Sequence, residues 1–243
     1  MLLKFDVFDK IESDEGDVMN KFVQAIENRH SVRKFLNQAI PQDAIARLQI
    51  EIKKINKESG LNFQFIVNEP QAFGGFMAHY GKFENVNNYF ALIGKKNDPK
   101  LDEKIGYYGE RLVVLAGVLN IETCWVALTY SKSKCKAKPK SDEKLVCVIA
   151  VGEGGTNQGV PHKSKDASKV SDLKETDPEW YKQGVRLALL APTAMNQQKF
   201  YISRNDNKVK IQAKWGPYSK VDLGIVKYHF EVGAGQENFV WEE

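Results

Sequence analysis

The chain reads as an α+β protein. Three observations carry that reading: apolar residues recur at helical spacing in several segments, short alternating or continuous apolar runs lie between them, and the order of helix and strand begins again past the middle of the chain.

Residues 1–20 are acidic and weakly patterned, and read as an extension leading into a helix from about Asp17 to Asn28, with Val18, Phe22, Ala25 and Ile26 on one face. Pro41-Gln42-Asp43 opens a second helix on Ile45, Leu48, Ile52 and Ile55, which Ser59-Gly60 ends. Phe63, Phe65 and Val67 alternate as in a strand, and Tyr89 to Ile93 reads as another. Gly106 to Asn120 predicts a helix with Leu112, Leu115, Ala116 and Leu119 as its stripe. Thr123 to Leu128 is a short apolar stretch. Leu145 to Val151 is continuously apolar, which suits a central strand buried on both faces. After a polar, lysine-bearing loop (156–176), a helix is predicted from Asp177-Pro178-Glu179 to about Leu190. Strands follow at Phe200 to Ile202 and Val209 to Ala213, then a helix from about Asp222 to Val232.

With 243 residues the chain is long enough for one large domain or two small ones, and 42% hydrophobic with 27% charged residues is ordinary globular composition. A net charge of +4 makes no case for nucleic acid, and the lysine run from Lys132 to Lys140 reads as a solvated loop. Lys4 and Asp6 interrupt the start, so no signal-peptide core forms, and no apolar stretch approaches membrane-spanning length. Three cysteines without a C-x-x-C pair argue for a reducing compartment, with Cys124 and Cys147 as buried thiols. The expectation is a cytoplasmic protein with no nucleic-acid or membrane partner, a monomer or weak homo-oligomer.

The two halves read as diverged copies. Helix, loop and strand around Ala44 to Val67 match those around Glu179 to Ile202, and the helix from Gly109 leading to Trp125 matches the one from Gly224 leading to Trp241. One inserted residue aligns Gly117 with Gly233 and the two tryptophans; coincidence between amphipathic helices is the alternative. The expected layout is an extension at 1–20, one half at 21–155 and a degenerate second half at 156–243, in one compact unit.

Two motifs stand apart from this patterning. In Arg29-His30-Ser31-Val32-Arg33-Lys34-Phe35, alternate residues of an extended segment point the same way, so Arg29, Ser31 and Arg33 can face one ligand while Val32 faces the core. A guanidinium matches phosphate oxygens, and a hydroxyl with backbone N–H groups completes such a cradle. The motif alone is equally a surface arginine pair leading into a helix. In Ala191-Pro192-Thr193-Ala194-Met195-Asn196-Gln197-Gln198, a proline, a small hydroxyl and a carboxamide sit on a turn between helix and strand. Each half lacks the motif that the other keeps.

Together these segments resemble the FMN-dependent nitroreductase family, and their separation resembles its branch with two fused, degenerate halves sharing one flavin. The family opens with a segment like Arg-Arg-Ser-Ile-Arg-Lys-Phe, and its second motif resembles Ala-Pro-Ser-Ala-x-Asn-x-Gln-Pro-Trp. The resemblance implies a mostly antiparallel central sheet flanked by helices, with a pseudo-twofold repeat. It implies that Arg29 and Ser31 hold the FMN phosphate and ribityl chain and that Arg33 lies at the pyrimidine edge, where a fixed cation stabilises the charge of reduction. His30 belongs to the same set, packing or capping rather than catalysing. Pro192, Thr193, Ala194, Asn196 and Gln198 would present the second motif to the ring. Lys163 and Lys165, in the place of a basic segment that reaches the phosphate, are also implied, although two loop lysines are usually only solvated. Thr123-Cys124-Trp125-Val126 resembles a Gly-Thr-Cys-Trp segment whose backbone nears the flavin, so Cys124 and Trp125 join the set; Glu122 replaces the usual glycine, and Trp125 is equally a core aromatic.

Other signals fall away. Gly152-x-Gly154-Gly155 lacks the third glycine and helix of a dinucleotide turn, and four histidines show no metal-ligand spacing. The implied activity is transfer of hydride from NAD(P)H through FMN to nitroaromatic or quinone-like acceptors, with the flavin carrying the chemistry and no protein acid or base assigned. A flavin-binding module for storage or sensing is the alternative, and a different reductive reaction, such as dehalogenation or flavin fragmentation, is a third.

Overall fold

The computed structural model describes residues 15–154 and 163–242. The N-terminal extension up to residue 14 and the segment 155–162, with its His162, lie outside the described residues. In chain order the elements are α1 (Glu15–Asn28), α2 (Gln42–Ser59), β1 (Gln64–Ile66), α3 (Phe76–Tyr80), β2 (Asn88–Lys95), α4 (Leu101–Val118), β3 (Glu122–Val126) and β4 (Glu143–Gly152). Then come α5 (Ala167–Val170), α6 (Glu179–Ala188), β5 (Phe200–Asn205), β6 (Lys208–Ala213), α7 (Ser219–Ala234) and β7 (Val240–Trp241).

Helix α2 shows why its bounds follow the sequence. Pro41 precedes it with extended backbone, and Gly60 ends it in the left-handed conformation, its N–H donating to Asn56 O. Helix α4 starts at Leu101, before the predicted Gly106. Asp98 Oδ1 accepts the Lys100 N–H at 2.9 Å, and Asp102 and Glu103 place negative charge in the first turn, where the helix dipole favours it. Helix α6 starts at Glu179 rather than Asp177: Pro178 precedes it with extended backbone, and the largely covered Asp177 side chain pairs with Arg204 at 2.7 Å.

The chain divides into two compact units, neither a single stretch of sequence. Of the described residues, 15–28, 102–111 and 163–242 form the first, and 29–101 and 112–154 the second. The second unit holds a four-stranded sheet in the order β1-β2-β4-β3, antiparallel throughout. Its central strands are buried over most of their length: Tyr89 to Ile93 and Val148 to Val151 have no solvent exposure. That is what a continuous apolar run demands.

In the first unit β5 and β6 form an antiparallel hairpin through Asp206, whose φ of 53° suits the tight turn, and β7 adds parallel to β6. Helices α6 and α7 pack closely because Gly184 receives the ring of Phe230 and Gly233 the backbone of Gln183. Residues 102–111 of α4 cross α7 more closely still. A methyl group on Gly106 would overlap the Val221 carbonyl and meet Ile225 N; one on Gly224 would overlap the Glu103 carbonyl and meet Tyr107 N. Each glycine thus faces the residue three before and one after the other, the reciprocity of a local twofold. The contact pairs Gly224 with Gly106.

Backbone cannot yield as a flexible side chain can. Gly106→Ala or Gly224→Ala is expected to cost more than about 3 kcal/mol in urea unfolding, or to abolish folding. Gly16→Ala, which meets nothing within 4 Å, is expected to stay within about 0.5 kcal/mol of the parent.

Candidate functional site

The cationic segment lies in the second unit and is fixed by its backbone. Ser31 bridges Thr123, and Val32 N donates to Thr123 O at 3.1 Å. Glu84 N donates to Arg33 O at 2.9 Å, and Phe35 N donates back to Glu84 O at 3.1 Å. Leu36 N reaches Glu153 O at 3.1 Å, beside the bridge between Phe35 and Gly154. Val32 and Phe35 are buried, so Ser31 and Arg33 face outward, with Arg29 and His30 half-buried. The burial pattern alternates at Ser31, Val32 and Arg33, while Arg29 and His30 are both half-buried.

These bonds bring Arg29, Ser31 and Arg33 to Cys124. The buried Cys124 thiol is pushed up by desolvation and drawn back by the Arg33 charge, the Ser31 hydroxyl and the Arg29 charge. It is held as a neutral thiol, not a nucleophile. Trp125, half-buried, sits opposite Ile149 in the sheet. Glu122 carries a carboxyl raised by burial and lowered by the Arg29 charge. Lys34 pairs with Glu84 at 2.7 Å and is spoken for.

The second motif lies in the first unit, on a turn that carries strain. Met195, Asn196 and Gln198 have φ of 53°, 51° and 43°, a region that side chains with a Cβ enter at a cost. Dense hydrogen bonding holds it. Asp222 Oδ1 accepts the Ala194 N–H at 2.9 Å and Oδ2 accepts Gln197 Nε2 at 2.7 Å. Thr193 Oγ1 accepts the Gln198 N–H at 3.0 Å. Asn196 Nδ2 donates to Lys163 O at 3.1 Å, and Lys165 Nζ donates to Gln197 O at 2.7 Å and Gln198 O at 3.0 Å. The buried Gln198 side chain donates to Leu189 O at 2.9 Å and accepts the Lys165 N–H at 2.7 Å.

The structure thus gathers the predicted residues into two sets. Arg29, His30, Ser31, Arg33, Cys124 and Trp125 fall in the second unit; Lys163, Lys165, Pro192, Thr193, Ala194, Asn196 and Gln198 fall in the first. Lys163 contributes its carbonyl to the turn, while its side chain is exposed. Pro192, Thr193 and Ala194 are half-buried, whereas Met195 is 82% exposed at the tip. Sequence reasoning missed Asp222 and Gln197. An acid on the apolar face of a predicted helix was the signal that could have found Asp222. Among the described residues no cluster of three or more His, Cys, Asp or Glu can hold a metal, and no helix is long and apolar enough to cross a membrane.

An antiparallel sheet with a cationic strand docked at its β3 edge, and helices framing a strained polar turn, define an α+β fold of nitroreductase type. The family model described as "Putative TM nitroreductase" matches residues 21–234, and the chain belongs to that family. Among solved structures, a "putative nitroreductase" from Thermotoga maritima is similar with a TM-score of 0.63 and 24% identity, over 93% of this chain and 88% of that one. A "putative NADH dehydrogenase/NAD(P)H nitroreductase" from Parabacteroides distasonis gives 0.49 and 16%, over 65% and 99%. A "putative nitroreductase in complex with FMN" from Desulfovibrio desulfuricans gives 0.49 and 16%, over 65% and 98%. No curated protein matches the chain.

Burial pushes Asp222 up to about 6, against the pull of its bonds from Gln197 and Ala194. A raised carboxyl stabilises the fold fully below its unfolded value near 3.8, and that contribution is lost as pH rises through about 6. The Ala194 amide resonance is expected to titrate with a midpoint near pH 6. Asp222→Asn should remove this titration and flatten the fall in stability across the same window; a midpoint near 4 would refute the assignment.

Proposed function

We propose that the chain is an FMN-dependent oxidoreductase that passes hydride from NAD(P)H to nitroaromatic or quinone-like acceptors. Family membership supports the reaction class. The single observation that supports the cofactor is the gathering of Arg29, Ser31 and Arg33 at Cys124: two guanidiniums and a hydroxyl, with Ser31 and Arg33 exposed and Arg29 half-buried. That donor set fits a phosphorylated flavin. Glu122 fits it as well, since a carboxyl already raised by burial takes up a proton more readily beside an added phosphate.

In this reading Arg29 and Ser31 hold the phosphate end, and His30 packs beside them. Arg33 supplies a fixed cation at the ring. The backbone of Cys124 and Trp125 borders the flavin. Pro192, Thr193, Ala194 and Asn196 offer a polar edge for a flat ring, while Gln198 and Lys165 hold that edge in its strained form. Bound FMN supplies two-electron chemistry between a nicotinamide donor and an acceptor. Water supplies the proton.

Replacing Arg29 and Ser31 together by alanine leaves Val32 and Phe35 to hold the segment. The double variant is expected to fold by circular dichroism yet purify without flavin, where the parent is yellow and oxidises NAD(P)H with a nitroaromatic. A fully yellow double variant would overturn the phosphate assignment.

A further inference from the structure

The loop after β6 presents an indole to solvent: Trp215 is 92% exposed. Its backbone is firmly held. Lys214 N donates to Lys199 O at 2.8 Å, and Pro217 O accepts Gln197 Nε2 at 2.8 Å. Gly216 lies so close to Gln197 and Lys199 that a methyl group there would fall 2.7 Å from both side chains. The indole is therefore mounted on a rigid loop against the 193–198 turn, in the same unit.

Two ammonium groups accompany it. Lys199 Nζ lies 5.7 Å from the Trp215 ring centre, and Lys214 Nζ lies 5.2 Å from that of Tyr201. Among the described residues neither lysine forms an ion pair, and the Lys214 ammonium has only a long bond, 3.4 Å, to Lys169 O. Asp222, the carboxylate bound to Gln197, is buried and turned to Ala194 and Gln197. An exposed aromatic face stacks a nucleobase, and lysines act as point charges for phosphate. Two such charges suit the phosphates of one nucleotide rather than the many contacts of a polynucleotide.

We propose that Trp215, with Lys199 and Lys214, receives the adenosine end of the reduced nicotinamide dinucleotide, and that the two lysines favour the form carrying a 2′-phosphate. The assignment rests on the proposed oxidoreductase function for its ligand. The turn that faces the flavin in that reading adjoins Trp215 through Gln197, so a dinucleotide anchored by its adenine directs its nicotinamide toward the turn.

Tryptophan fluorescence of the purified protein, titrated with adenosine 2′,5′-bisphosphate and with AMP, reads this site whether or not flavin is bound. Saturable quenching is expected, at least tenfold tighter for the bisphosphate, and absent in Trp215→Ala. Lys199→Met with Lys214→Met should bring the two ligands to equal affinity. In turnover, Trp215→Ala should raise KM for NADPH about tenfold with kcat unchanged. Equal affinities in the parent, quenching that survives Trp215→Ala, or an unchanged KM in a yellow, active variant would overturn the nucleotide site and leave the oxidoreductase reading standing. A colourless parent that does not take up FMN would overturn that reading instead.

Discussion

Everything proposed for the cationic segment depends on the burial of Val32 and Phe35. The two side chains enter the core of the second unit, and the backbone between them is tied to Thr123 and Glu84 on either side. Extended backbone then leaves Ser31 and Arg33 no direction but outward. Ser31 and Arg33 acquire a common face because two apolar neighbours have none to spare. Hydrophobic burial of each such side chain contributes roughly 1.5–3 kcal/mol, more than enough to hold fixed cations near one another.

The late turn is organised by a different force. Its backbone is left-handed at Met195, Asn196 and Gln198, so local preference opposes it, and long-range hydrogen bonds from Asp222, Lys165 and Gln198 hold it. A strained polar turn supported by a buried acid is the kind of preorganised edge that recognises a flat ring, because its groups are in place before the ligand arrives. Lys165 illustrates the economy of such a device. Its ammonium lies on two carbonyls of the turn, so its charge braces the turn from behind.

Most of the fold was legible in periodicity. Helices α2 and α7 and strands β2 and β4 follow directly from apolar spacing, and the outward face of Ser31 and Arg33 follows from alternation. Short elements escaped for physical reasons. Helix α3 exposes Phe76, Met77 and Tyr80, so no apolar stripe announces it, and α5 is a single turn. Strand β7 has two residues and exists through pairing with β6. The anchoring of the turn by Asp222 joins residues 28 positions apart in sequence, and the Arg29–Glu122 interaction spans still more. Such partners have no local signature. The discontinuous units were hidden likewise, because α4 shows one unbroken pattern although residues 102–111 count with one unit and those from 112 with the other. The repeat of two whole halves is a proposal from sequence, to which the reciprocal packing of Gly106 and Gly224 adds a local observation.

The central claim is that this chain binds FMN through the proposed phosphate cradle of its second unit, Arg29, Ser31 and Arg33. The direct measurement is flavin bound per chain, from absorbance of FMN-saturated protein whose mass in solution is determined in the same experiment. One FMN per chain, lost when Arg29 and Ser31 are both replaced by alanine, is the expected result. A chain that takes up no FMN, or a double variant that retains it in full, would contradict the account.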